Sequence, residues 1–108
     1  VYDNNKLVAW IENGKQVGKI FSFSRNGKKY WSSVAIQKHG GVYKVFVDEI
    51  EEEKMAGEYY ERDEINIFTT IDEAIYFVEK TTSLKIVDMR PCKGQKIFNP
   101  GLLKFPVK

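Results

Sequence analysis

The stretch Val17-Gly18-Lys19-Ile20-Phe21-Ser22-Phe23-Ser24-Arg25-Asn26-Gly27-Lys28-Lys29-Tyr30-Trp31 decides the fold. Val17, Lys19, Phe21 and Phe23 share one parity, and Gly18, Ile20, Ser22 and Ser24 take the other. That period of two belongs to a strand with one face buried. Asn26-Gly27 follows at once, the pair that a type I′ turn demands because both central residues need positive φ. A hairpin is therefore expected here, with Lys29 to Gln37 as its second arm.

The same logic extends outward. Asn13-Gly14 and Gly40-Gly41 supply two further turn signals, and Leu7 to Glu12 and Val42 to Ile50 are two further segments rich in apolar residues. Tyr43, Val45 and Val47 point one way, Lys44 and Asp48 the other. Four strands joined by tight turns read as an antiparallel meander. Ile65 to Thr69 reads as a further strand, Leu84 to Met89 as a short one and Lys96 to Phe98 as a possible edge strand. Glu51 to Ala56 is open between a short helix cut off by Gly57 and an exposed hairpin end.

One helix is expected, at about residues 71–81. Thr70-Ile71-Asp72-Glu73 is a capping box, and Ile71, Ala74, Ile75 and Val78 form an apolar stripe at i, i+3, i+4 and i+7. Asp72 and Glu73 in the first turn and Lys80 near the end match the helix macrodipole. The expected class is α+β: a twisted antiparallel meander sheet with this one main helix packed on it, in a single domain spanning 1–108.

Fifteen aromatic residues in 108 are enough to give so short a chain a core. No apolar run approaches the roughly 20 residues of a membrane helix. The first residues carry no signal-peptide pattern, and a lone Cys92 excludes an intramolecular disulfide; a reducing, cytoplasmic setting is expected.

The net charge of +2 hides an asymmetry. Residues 1–47 hold eight bases and two acids, whereas residues 48–64 hold nine acids and two bases. A run of acids is ordinarily a solvated surface. The sharper reading is a docking patch, made of Asp48, Glu49, Glu51, Glu52, Glu53, Glu58, Tyr59, Tyr60, Glu61, Asp63 and Glu64, for a basic partner. Tyrosine among carboxylates suits an interface, because its ring supplies area at low entropic cost.

Catalytic groups are sparse. His39 is the single histidine and lies beside a Gly-Gly turn, so histidine-pair catalysis and multi-histidine metal sites are excluded. Nothing around Cys92 resembles a helix start that would lower a thiol pKa. No calcium loop or phosphate-binding glycine motif is present, and dense exposed acids do not make a glycosidase pair. A non-enzyme needing no cofactor or metal is expected.

An alternative function uses the meander. Trp10, Phe21, Phe23, Tyr30, Trp31 and Tyr43 interleave with Lys19, Arg25, Lys28, Lys29, Lys38 and Lys44. Aromatics on a sheet with flanking bases are the parts of a single-stranded nucleic-acid platform.

The run from Asp63 to Pro100 has a strand ending in Phe68, the capped Thr-Ile-Asp-Glu-Ala helix, a short strand to Pro91 and then Lys93-Gly-Gln-Lys-Ile-Phe-Asn-Pro100. With the size and the hairpin-rich first half, it resembles the small bacterial immunity proteins of contact-dependent growth inhibition and related polymorphic toxin systems. The resemblance implies a cytoplasmic protein that binds one cognate toxin domain, often a nuclease, and blocks its active site or substrate path. That family shares no catalytic motif, so no residue role is carried over from it.

Overall fold

The structure is a computed structural model describing residues 4–102. It is α+β. A five-stranded antiparallel sheet in the order β4-β3-β2-β1-β5 carries two α-helices on one face. The strands are β1 (Val17–Arg25), β2 (Lys28–His39), β3 (Val42–Glu51), β4 (Tyr60–Phe68) and β5 (Arg90–Pro91); the helices are α1 (Asn4–Glu12) and α2 (Ile71–Thr81).

The first hairpin forms as the sequence implies. Asn26 and Gly27 take φ of 53° and 75°, and β1 pairs with β2 from Val17↔Ile36 to Arg25↔Lys28. Gly40-Gly41 joins β2 to β3 in the same way. Helix α2 also follows its capping box. Thr70 Oγ1 accepts from the Glu73 N–H at 3.2 Å and donates to the Glu73 carboxylate at 3.0 Å. Its stripe buries Ala74 and Val78 fully, with Ile71 and Ile75 beside them, each large apolar side chain stabilising the fold by about 1.5–3 kcal/mol.

Leu7 to Glu12 is helical, not a strand. Leu7 and Ile11, four apart, bury on the core, and Trp10 packs beside them. Asn13-Gly14 is the end of this helix. Gly14 has φ of 80°, its N–H donates to the Ile11 carbonyl, and the Lys15 N–H donates to the Trp10 carbonyl. This is the Schellman pattern, which needs the same left-handed glycine as a hairpin turn.

Leu84 to Met89 is also not a strand: a 3₁₀ turn covers Ile86–Asp88, and only Arg90–Pro91 pairs with β1. Side chains take the donors that a ladder would use, with Asp88 accepting from Lys85 N–H and Glu79 from Ile86 N–H. Lys96 to Phe98 forms no ladder either. A buried side chain, Gln16, replaces it: its amide oxygen accepts from Ile97 N–H at 2.7 Å and its amide nitrogen donates to the Phe98 carbonyl at 3.0 Å.

Two clusters result. On the helix side, Leu7, Ile11, Val17, Val34, Ile36, Val45, Val47 and Val78 form the main core. On the opposite face, Ala35, Phe46, Ile65 and Phe98 form a smaller one, with Phe46 and Phe98 stacked at 5.4 Å. Gly18 lets the tail approach, since a Cβ there would lie 2.6 Å from both Ile97 Cδ1 and the Val34 carbonyl oxygen.

Candidate functional site: the acidic end of the β3–β4 hairpin

The acidic block is the connection between β3 and β4 together with the strand ends that flank it. Glu52–Gly57 forms a 3₁₀ turn, which resolves the sequence ambiguity in favour of a short helical segment cut off near Gly57. Glu58 closes the turn in the left-handed region, with φ of 57°. The pairing shifts between Glu49↔Arg62 and Ile50↔Tyr60, so Glu61 is the extra residue of a β-bulge.

The fold divides the eleven candidate residues into three groups. Glu49, Glu51 and Glu64 are buried and paired with bases. Glu49 lies between Arg25 at 2.9 Å and Arg62 at 3.4 Å. Glu51 meets Lys28 at 3.2 Å and Lys54 at 3.7 Å. Glu64 meets Arg62 at 2.9 Å and accepts from Asn66 at 2.8 Å. Burial alone would raise the Glu64 pKa, but Arg62 and Asn66 outweigh it and hold the carboxyl below its ordinary value. These three acids organise the hairpin from inside.

A second group forms an exposed rim: Glu52, Glu53, Tyr59 and Glu61. Glu52 accepts from the Trp31 indole at 2.9 Å and lies 3.5 Å from Lys29; the indole bond, the largest of its influences, lowers its pKa. Glu61 is 3.7 Å from Arg25. The Glu53 side chain is 81% exposed, with Lys28 at 3.9 Å, and Tyr59 is 70% exposed. The Tyr59 ring lies so close over Gly57 that any Cβ at that position would collide with it.

The third group, Asp48, Glu58, Tyr60 and Asp63, lies along a groove of about 560 Å³ on the sheet face opposite the helices. Phe46, Ile65 and Phe98 from the smaller cluster line its apolar part. Asp48 and Asp63 are cross-strand partners. Desolvation pushes the Asp48 pKa up to about 6, opposed by the Ser33 N–H that donates to it at 2.6 Å and reinforced by the Asp63 and Glu49 charges. The tail residues Phe98, Asn99 and Leu102 close one side. Sequence reasoning missed them because no local pattern announces a contact made across more than eighty positions, such as Gln16 to Phe98.

The alternative platform is divided. Register places Phe21, Phe23 and Tyr30 on one face and Trp31 on the other. Arg25 stacks over Phe23 and Tyr30 at 5.1 and 4.9 Å while bonded to Glu49. Lys28, Lys29 and Lys38 pair with Glu51, Glu52 and Glu12, and Lys44 donates to the Pro100 carbonyl. Tyr43 donates to Glu12, and Trp10 to the Gln16 carbonyl. Lys19 is exposed near the β1 edge.

His39 is exposed at the end of β2, and burial raises the half-buried Cys92 thiol pKa, which disfavours the thiolate. Among the described residues no group of three or more His, Cys, Asp or Glu is arranged to hold a metal ion, and no helix is long and apolar enough to cross a membrane. Compared with protein families, curated proteins and solved structures, the chain matches none.

Proposed function

We propose that this chain is a non-catalytic protein-binding module: a cytoplasmic immunity protein that neutralises a cognate toxin, often a nuclease in such systems, by covering its basic active-site or substrate surface. The observation that carries this reading is the exposed rim of the β3–β4 hairpin, where Glu52, Glu53, Tyr59 and Glu61 project from a hairpin end fixed by the buried Glu49–Arg62–Glu64 pairs. Carboxylates on a braced hairpin speed encounter with a basic surface and set its register, and a tyrosine among them adds contact area. The single-strand platform has less support, because the bases meant to hold phosphates are engaged with glutamates of the same molecule.

The test is purification of the tagged protein from its native host with and without ribonuclease, then growth protection against the recovered partner. A basic protein retained after ribonuclease is expected. The double variant Glu53→Lys/Tyr59→Ala, altered at two exposed positions, should bind it at least tenfold more weakly, a change of about 1.4 kcal/mol or more. Undiminished protection by this variant, or loss of the partner on ribonuclease treatment, refutes the reading.

A further inference from the structure

At the sheet edge remote from β4, lysines with no acid of their own surround an apolar groove. Elsewhere the bases are engaged: Arg25, Lys28, Lys29 and Lys38 face glutamates, and Lys44 the Pro100 carbonyl. Lys6, Lys15 and Lys93 are exposed, and none has an ion pair or a side-chain hydrogen bond among the described residues. The groove, of about 330 Å³, lies between α1 and β5, the edge strand opposite β4 in the sheet order. Lys6, Ala9 and Trp10, at i, i+3 and i+4, line it from the helix. Pro91 and Lys93 line it from the other side, and buried Leu7 adds to its apolar wall. The Trp10 ring is held in place, because its indole N–H donates to the Gln16 carbonyl at 3.1 Å. The Lys15 N–H donates to the Trp10 carbonyl at 3.1 Å, so Lys15 starts beside the groove. The Cys92 N–H donates to the Gln16 carbonyl at 2.9 Å where β5 runs antiparallel to β1, so Lys15 and Lys93 leave that bond on the same side. No acidic residue lines the groove among the described residues, and Glu12, the one acid of α1, is turned to Tyr43 and Lys38.

We infer that this groove docks an extended acidic segment of a protein, which seats one apolar side chain between Trp10 and Pro91 and sets its flanking carboxylates on Lys6, Lys15 and Lys93. Charge complementarity selects the occupant. Three like charges around one groove repel each other, and a carboxylate entering between them relieves that repulsion while it gains partners. The apolar wall selects within the anions. Leu7, Ala9, Trp10 and Pro91 offer surface to a hydrophobic side chain, which a peptide carries and a phosphate chain does not. A single-strand site would need successive aromatic platforms for successive bases, and this groove has one ring, Trp10. The braced indole makes the groove preformed, so little ordering has to be offset on binding. This is a second docking face, on the sheet edge away from the acidic rim, and it stands independently of the immunity reading.

The experiment is an amide NMR titration of the whole chain at neutral pH and low salt with the capped peptide acetyl-Asp-Glu-Phe-Glu-Asp-amide. Two control peptides replace its acids by Asn and Gln, or its Phe by Ala, and a short oligothymidylate is the nucleic-acid control. The acidic peptide should shift Lys6, Ala9, Lys93 and the Trp10 indole N–H with a dissociation constant of the order of millimolar. The neutral peptide should bind roughly tenfold more weakly or worse, and the Ala peptide several-fold more weakly. Lys6→Gln/Lys15→Gln/Lys93→Gln, altered at three exposed positions, should bring the acidic peptide to the level of the neutral one while the rest of the spectrum stays folded. Glu53→Lys/Tyr59→Ala should leave the response unchanged. Absence of shifts, shifts at other residues, an equal response to either control peptide, full binding by the lysine variant, or loss of binding in the rim variant overturns the inference. Tighter binding of oligothymidylate at the same residues overturns it too and reassigns the groove to nucleic acid.

Discussion

At Asp48 two forces oppose each other: desolvation in the groove disfavours its charge, and the Ser33 N–H favours it. Its folded pKa of about 6 lies above the ordinary carboxylate value of 3.8. The folded state therefore holds the proton over a pH range in which the unfolded chain has released it. Stability from this group is greatest at acid pH and falls as pH rises from about 4 to 6. Asp48→Asn removes that loss. The variant is expected to be more stable than the parent at pH 7–8 by about 1–2 kcal/mol, a figure reduced for the partial exposure of the site, and the gap should close towards pH 4. Denaturant unfolding of both proteins across that range is the check, and a gap independent of pH contradicts it. Glu64 behaves oppositely: its lowered pKa gives stability that is present above the ordinary glutamate value and is lost on acidification.

Among elements, local chemistry was readable where the turn or cap sits inside one segment. Asn26-Gly27 made its hairpin, and Thr70 with Glu73 started α2 at Ile71. Asn13-Gly14 misled because a left-handed glycine serves both a type I′ turn and a helix C-cap; the difference lies in whether the preceding residues alternate or repeat at four. Leu7 and Ile11 repeat at four. The tail is the other unreadable element, since the Gln16 side chain, not a strand ladder, holds it down. Gly18 is the contact point, with the Val34 carbonyl on rigid backbone. Gly18→Ala should cost about 1–3 kcal/mol through overpacking and displace the Ile97–Phe98 segment from the groove. Thermal unfolding with tail-residue NMR shifts measures both effects, and an unchanged midpoint rules this packing out.

Over the whole molecule, the charge asymmetry of the sequence is largely turned inward. The basic β1–β2 hairpin lies against the acidic β3–β4 end, so Arg25 and Lys28 meet Glu49 and Glu51. These pairs differ in weight. Arg62 holds Glu49 and Glu64 and also donates to the Thr81 carbonyl at the end of α2. Replacing it by Ala leaves the buried Glu64 without a base, while Glu49 keeps Arg25, and a loss of about 3–5 kcal/mol is expected. Lys29→Ala breaks an exposed pair with half-exposed Glu52 and a contact of the ammonium with the Trp31 ring at 4.9 Å, and should cost no more than about 1 kcal/mol. Urea unfolding of the two variants under one condition tests the contrast, and equal losses would show that burial does not set their worth.

The candidate site was partly legible. Its acids and tyrosines stand together in the chain, but which of them face a partner is a property of register. Strand pairing sends Glu49 and Glu64 to the helix-side face, where bases await them, and Asp48 and Asp63 to the other. By itself the sequence determined the Asn26-Gly27 and Gly40-Gly41 turns, the α2 helix and the α+β class, because caps, turn residues and periodicity act within a few residues of backbone. Only the tertiary structure decided which charges are spent internally and that a groove lined by Phe46 and Phe98 lies beside Asp48. Those outcomes depend on side chains far apart in the chain being brought together, and no local pattern encodes that.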